Sequence, residues 1–163
     1  MSVTPVTDRS IARQGIALAA FLALCLSVGL IGGWVTAPAL PGWYAGLAKP
    51  AFNPPNWIFG PVWTALYILM AIAAWLVWRR GEARTALRLF ALQLVLNALW
   101  SPLFFGLHRI DLALIDIVLM WAAIAATALA FRHRSLLAAV LMLPYLGWVS
   151  FASGLNLALW RLN

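Results

Sequence analysis

Trp43-Tyr44-Ala45-Gly46-Leu47-Ala48-Lys49-Pro50-Ala51-Phe52-Asn53-Pro54-Pro55-Asn56-Trp57-Ile58-Phe59-Gly60-Pro61-Val62-Trp63 lies between two long apolar runs and holds four prolines, three tryptophans and one charge. A connector between membrane helices has no need of so much rigid, amphipathic material. Proline fixes φ and lowers the entropy lost on ordering, and Trp supplies a large contact area with a polar N–H. The stretch therefore reads as an ordered lid or mouth over something, not as slack chain.

The runs on either side set the class. The chain has 163 residues, of which 65% are hydrophobic and 9% charged. Its mean hydropathy is +0.95. A soluble domain carries about 25% charged residues, and one of this size could not hide so much apolar surface, so lipid is the solvent. The net charge of +7 sits at segment ends. That placement marks orientation and headgroup contact and argues against a nucleic-acid partner. The lone Cys25 excludes an intramolecular disulfide and a cysteine-based metal site.

A membrane helix needs about 20 predominantly apolar residues. Five stretches qualify, at 14–35, 57–78, 85–107, 112–131 and 136–160. The expected fold is all-α: one five-helix transmembrane domain over residues 1–163, with the ordered Pro/Trp-rich loop between the first two helices. The three later connectors are short, which predicts antiparallel neighbours. Ala37-Pro38-Ala39 resembles a signal-peptidase site, but the preceding run is too long and Pro sits inside the site, so the span is expected to stay. Arg9, Arg13, Arg79, Arg80, Arg84, Arg88, Arg132 and Arg134 lie on one side, against Lys49, Arg109 and Arg161 on the other. The positive-inside rule then puts the N-terminus in the cytoplasm, and the Pro/Trp loop and C-terminus on the far side.

Polar residues inside the spans fall on single helix faces. Gln93, Asn97, Trp100 and Phe104 follow helical period on the third span, and Tyr145, Trp148, Ala152 and Asn156 do so on the fifth. Phe59, Trp63 and Tyr67 step by four on the second. Each residue alone is compatible with interhelical packing. Together the stripes favour a shared cavity, because flat aromatic walls with sparse polar groups suit a planar apolar ligand. Asp116 is the one carboxylate deep in a span. It reads equally as a ligand or proton contact and as a structural hydrogen-bond partner of Asn97, Gln93 or backbone.

Pro102 and Pro144 are expected to interrupt the third and fifth helices. Gly29 and Gly33 form a GxxxG that permits close helix approach, within the bundle or in a homodimer. His108 and His133 sit at membrane edges beside Arg, so a permanently bound haem has no histidine donor inside a span. No metal cluster, phosphate loop or nucleophile–base pair is present, which points away from a conventional enzyme.

The segment Trp43–Tyr67 resembles the translocator protein family, also called tryptophan-rich sensory protein or peripheral benzodiazepine receptor. The resemblance continues in Gln93-Leu94-Val95-Leu96-Asn97-Ala98-Leu99-Trp100-Ser101-Pro102-Leu103-Phe104-Phe105-Gly106 and closes in Pro144-Tyr145-Leu146-Gly147-Trp148-Val149-Ser150-Phe151-Ala152-Ser153-Gly154-Leu155-Asn156. It implies a five-helix membrane protein, commonly dimeric, that binds porphyrins, haem and aromatic drug-like molecules in a pocket beneath the first long loop. By motif position, Tyr44 and Pro54 resemble lid residues, and Trp63, Asn97, Trp100, Trp148 and Ala152 resemble pocket residues. Asp116 falls where the family has an aspartate. In some bacterial relatives, two tryptophans matching Trp63 and Trp148 are tied to light-dependent breakdown of protoporphyrin.

The stripes and the resemblance give one candidate ligand set: Tyr44, Pro54, Phe59, Trp63, Tyr67, Asn97, Trp100, Phe104, Asp116, Trp148 and Ala152. The expectation is a tetrapyrrole-binding sensor, regulator or carrier, with porphyrin or haem as ligand and no permanent cofactor or metal. The alternatives are a light-dependent porphyrin-degrading enzyme using Trp63 and Trp148, and a porphyrin transporter. Leu155-Asn156 is followed by Leu157-Ala158-Leu159-Trp160-Arg161, without the Tyr of the cholesterol-recognition pattern of animal members. That departure puts sterol binding in doubt and fits a bacterial protein.

Overall fold

The computed structural model describes residues 11–81 and 83–163, and within them every regular element is helical. Helix α1 spans Ile11–Thr36, α2 Asn56–Trp78, α3 Arg84–Ser101, α4 Ile110–Arg132 and α5 Leu136–Leu162. All five are long and apolar enough to cross a membrane.

The first span runs further than its composition predicts. Beyond Thr36 it tightens into a 3₁₀ turn at Ala37–Ala39 and then widens into a π turn at Leu40–Tyr44. Pro38 and Pro41 each enter at the first positions of their turn, where the missing N–H has no partner to lose. The rod therefore carries Trp43 and Tyr44, the start of the expected loop, on its own end. The return to α2 passes through Pro55, whose φ of −57° and ψ of 140° are extended. At the other end α3 continues past Pro102 as a π turn, Pro102–Gly106. The Pro102 and Leu103 carbonyls accept from the amides of Leu107 and Arg109 at 2.8 and 3.0 Å. Pro144 does not interrupt α5, which stays helical throughout with Pro144 exposed on its surface. One missing hydrogen bond is tolerated in a helix of 27 residues.

The helices form a closed ring in the order α1, α2, α5, α4, α3. Short links join the neighbours α3–α4 and α4–α5. Ser135 caps the start of α5 by accepting from the Ala138 amide at 3.3 Å. The equally short link between α2 and α3 does not join neighbours, contrary to the expectation from its length, since those two helices face each other across the ring and meet through long side chains. A link of about five residues reaches about 17 Å, enough to step past α1 when packed helices lie about 8–10 Å apart. Its turn is made by Gly81 at φ +76°, a conformation costly for other residues. Arg80 on this link donates to the Arg134 carbonyl on the link between α4 and α5, so the arginine-rich connectors meet at one end. Arg9, counted with them, lies outside the described residues.

Helix α1 is the outlier, since Cys25 is its one fully buried side chain. Its close approach to α2 is made by Gly29, where an added Cβ would lie 2.6 Å from the Tyr67 ring, whereas Gly33 has open space. Gly29→Ala is therefore expected to destabilise by about 1–3 kcal/mol through overpacking. Gly33→Ala is expected to be neutral, or to gain up to about 1 kcal/mol from helix propensity. The thiol of Cys25 is 0% exposed, so its labelling during heating reports unfolding directly. Equal midpoints for the two variants would contradict this account of the packing.

Candidate functional site

The ring of helices encloses a cavity of about 510 Å³ beneath the Pro/Trp loop. Helix α2 gives it Phe59, Trp63 and Tyr67, α3 gives Asn97 and Trp100, and α5 gives Trp148 and Ala152. Tyr44 and Phe104, from the π turns that end α1 and α3, reach it at the loop end. Among the described residues that line it, none is charged.

The aromatic rings brace one another. Trp63 stacks on Tyr67 at 5.6 Å and 30°, and meets Tyr145 edge-on at 6.1 Å. Trp100 stacks on Phe104 at 5.0 Å and 22°. Phe59 meets Trp148 edge-on at 5.8 Å. Such pairs are worth about 0.5–1.5 kcal/mol beyond their burial, and they hold the walls in fixed planes.

The polar residues of the stripes serve as cross-links. Tyr67 donates to Asn97 Oδ1 at 2.5 Å, and Asn97 Nδ2 donates to the Tyr145 hydroxyl at 2.8 Å. The Tyr145 hydroxyl turns in turn toward Met120 Sδ at 3.5 Å. One amide thus ties α2, α3 and α5 together. Asn156 does the same nearer the loop, accepting from Trp100 Nε1 at 3.1 Å and donating to the Ile110 carbonyl at 3.0 Å. Packing and cavity-lining are therefore not alternatives here: Asn97 and Trp100 do both. Trp148 differs, because its buried Nε1–H has no hydrogen-bond partner among the described residues.

Two of the candidate residues stand outside the wall. Asp116 is buried on α4 behind the cavity-lining Ile117 and Met120. Its Oδ2 has no hydrogen-bond partner among the described residues. Of the side chains expected as its partners, Asn97 is committed to the two tyrosines, and Gln93 donates to Met70 Sδ at 3.9 Å. Pro54 is also away from the cavity, because its neighbour Asn53 takes the contact with the lid. Tyr44 donates to Asn53 Oδ1 at 3.0 Å, and Asn53 Nδ2 donates to the Pro54 carbonyl at 3.1 Å.

The loop is held at further points. Asn163 accepts from the Ala48 amide at 2.9 Å and donates to the Ala48 carbonyl at 3.1 Å. Lys49 Nζ donates to the Ala45 and Leu47 carbonyls at 3.2 Å and sits 4.8 Å from the Tyr44 ring centre. Trp43 stacks on His108 at 4.2 Å and 14°. His108 has φ +55°, a conformation rare for a residue with a Cβ. With two hydrogen bonds of about 0.5–1.5 kcal/mol each, the Asn163 clasp is expected to protect the Ala48 amide. Asn163→Ala should speed its hydrogen exchange about tenfold; an unchanged rate would show the loop is held elsewhere.

Several wall residues were not foreseen. Gly29, Leu30, Gly32, Gly33 and Thr36 make α1 one side of the cavity, and Ser101, Ile117 and Met120 add to the wall. The glycines at 29, 32 and 33 are the available signal in the sequence, and by themselves they indicate only close helix approach. Neither His108 nor His133 lines the cavity. No group of three or more His, Cys, Asp or Glu gathers among the described residues.

The TspO/MBR family profile matches residues 21–161. The chain is 44% identical over 155 residues to Tryptophan-rich protein TspO of Chlorobaculum tepidum, covering 93% of this chain and 98% of that one. It is 46% identical over 121 residues to Tryptophan-rich sensory protein of Cereibacter sphaeroides, covering 74% and 77%. It is 44% identical over 126 residues to the human Translocator protein, covering 74% and 75%. The chain is an integral, multi-pass membrane protein and belongs to the TspO/MBR family.

Proposed function

We propose that the protein binds a planar tetrapyrrole, porphyrin or haem, in the cavity beneath the loop and acts as its sensor or carrier. The observation that carries this reading is an uncharged cavity of about 510 Å³ walled by Trp63, Trp100 and Trp148. Ligand pockets typically measure about 300–1,000 Å³, and broad aromatic faces favour flat ligands. The unpaired indole N–H of Trp148 supplies a donor for a ligand acceptor, since buried donors left without partners are rare. Relatives bear the names sensory protein and translocator, which fit binding followed by signalling or hand-over. By the positive-inside rule, the cluster of arginine connectors faces the cytoplasm and the loop faces away from it.

Titrating protoporphyrin IX into the purified protein and following tryptophan fluorescence tests this reading. Saturable quenching at one porphyrin per chain is expected. Quenching that rises linearly without saturation would remove the site.

The contact of Trp63 with two tyrosines favours one further reading, light- and oxygen-dependent oxidation of the bound porphyrin. It predicts bleaching faster than that of free porphyrin and slowed in Trp63→Phe and Trp148→Phe. Equal rates would make the tryptophans walls only.

A further inference from the structure

The cavity's open side is not under the loop. Of its lining residues, those that are also exposed are Leu30 and Gly33 on α1, Ala37 in the 3₁₀ turn that continues it, and Asn56, Gly60 and Thr64 on α2. Leu30 is 75% exposed although it faces the cavity. The first three follow helical period, and so do the three on α2, so each set forms one edge along its span. Toward the loop the reverse holds: Tyr44 is buried, and the loop is tied down through Asn53, Asn163 and His108.

We propose that the cavity is loaded sideways from the membrane, through a slot between α1 and α2. It would thus receive apolar planar ligands dissolved in the leaflet on the loop side. This rests on the tetrapyrrole-binding reading and adds the ligand's source and route. From Asn56 to Thr64 the slot extends about 12 Å along α2 at 1.5 Å per residue, within one half of a hydrocarbon core about 30 Å thick. Its edges suit lipid. Thr64 Oγ1 donates to the Gly60 carbonyl at 2.9 Å, so no bare hydroxyl faces the acyl chains. Gly33 and Gly60 leave the edges thin, and a Cβ at either would meet nothing within 4 Å. Below the slot, Gly29 against Tyr67 closes the two helices together.

The same open space makes the test clean, because bulk at these glycines narrows the slot without forcing the bundle apart. Protein in phosphatidylcholine vesicles is mixed with vesicles preloaded with protoporphyrin IX, and tryptophan quenching is followed in time. Gly33→Phe, Gly60→Phe and the double variant are compared with wild type. Gly46→Phe on the loop, where a Cβ also meets open space, is the control. Thiol labelling of Cys25 confirms that each variant is folded, and the single variants serve if the double is not. Association and dissociation are both expected to slow at least tenfold in the double variant, with Gly46→Phe at wild-type rates. Unchanged rates in folded Gly33→Phe and Gly60→Phe, or slowing by Gly46→Phe alone, would overturn the slot while leaving the binding site standing. Faster dissociation in the variants would show that the added bulk acts on the bound ligand and not on its passage, and would overturn it as well. Absence of saturable binding in wild type is a separate result, which removes the tetrapyrrole reading and this one together.

Discussion

Trp63→Ala and Trp148→Ala are each expected to weaken protoporphyrin binding about 10- to 100-fold. The two side chains stand in the cavity wall, Trp63 stacked on Tyr67 and Trp148 edge-on to Phe59. Stacking of a flat heterocycle on an aromatic side chain is worth about 1–3 kcal/mol by alanine substitution, and 1.4 kcal/mol is about tenfold in affinity. Trp148→Phe separates two parts of that effect. It keeps the ring face but loses the indole N–H that has no partner among the described residues, so it should lose less than Trp148→Ala and more than Trp63→Phe. Trp34 is 79% exposed and does not line the cavity, so Trp34→Ala should leave the affinity within twofold. If Trp34→Ala weakens binding as much as the wall variants, the porphyrin is held on the lipid-facing surface.

Asn97→Leu is expected to have the largest effect on stability, lowering it by about 2–4 kcal/mol. One amide satisfies the hydroxyls of Tyr67 and Tyr145 across three helices. Removing it strands the Tyr67 hydroxyl and leaves that of Tyr145 with only the weak Met120 Sδ contact, at about 1–3 kcal/mol each, toward the lower end because membrane hydrogen bonds average about 0.6 kcal/mol. The account makes a second, sharper statement. Adding Tyr67→Phe and Tyr145→Phe to Asn97→Leu removes both hydroxyls and should restore most of the loss, since deleting all partners of a bond costs less than deleting one. Heating with Cys25 labelling measures all three proteins. If the triple variant is no more stable than Asn97→Leu, the cost lies in leucine's shape and not in the hydrogen bonds.

What could be read beforehand divides by the kind of signal each helix carries. On α2, α3 and α5, polar and aromatic residues recur at helical period among aliphatics, so Trp63, Asn97, Trp100 and Trp148 could be assigned to one interior. Helix α1 carries no such contrast. Its contribution is made by glycines and leucines, whose role depends on what the neighbouring helix places against them: Tyr67 at Gly29, open space at Gly33. The ring order was hidden for a similar reason. A short link sets the largest distance between two helices, not whether another helix stands beside them, as α2 and α3 demonstrate. Pro54 and Asp116 were singled out by type and position. Which face of α4 meets the cavity, and which loop residue meets Tyr44, is settled by packing: Ile117 and Met120 line the wall, and Asn53 takes the tyrosine hydroxyl.

The central claim is that a flat ligand lies inside the helix ring, under Tyr44 and between Trp63 and Trp148. A structure of the protein with protoporphyrin IX bound tests it most directly. Density for the macrocycle in that cavity, in contact with both indoles, is the predicted result. Density on the outer helix faces or beside the arginine connectors, with the cavity unfilled, would contradict it.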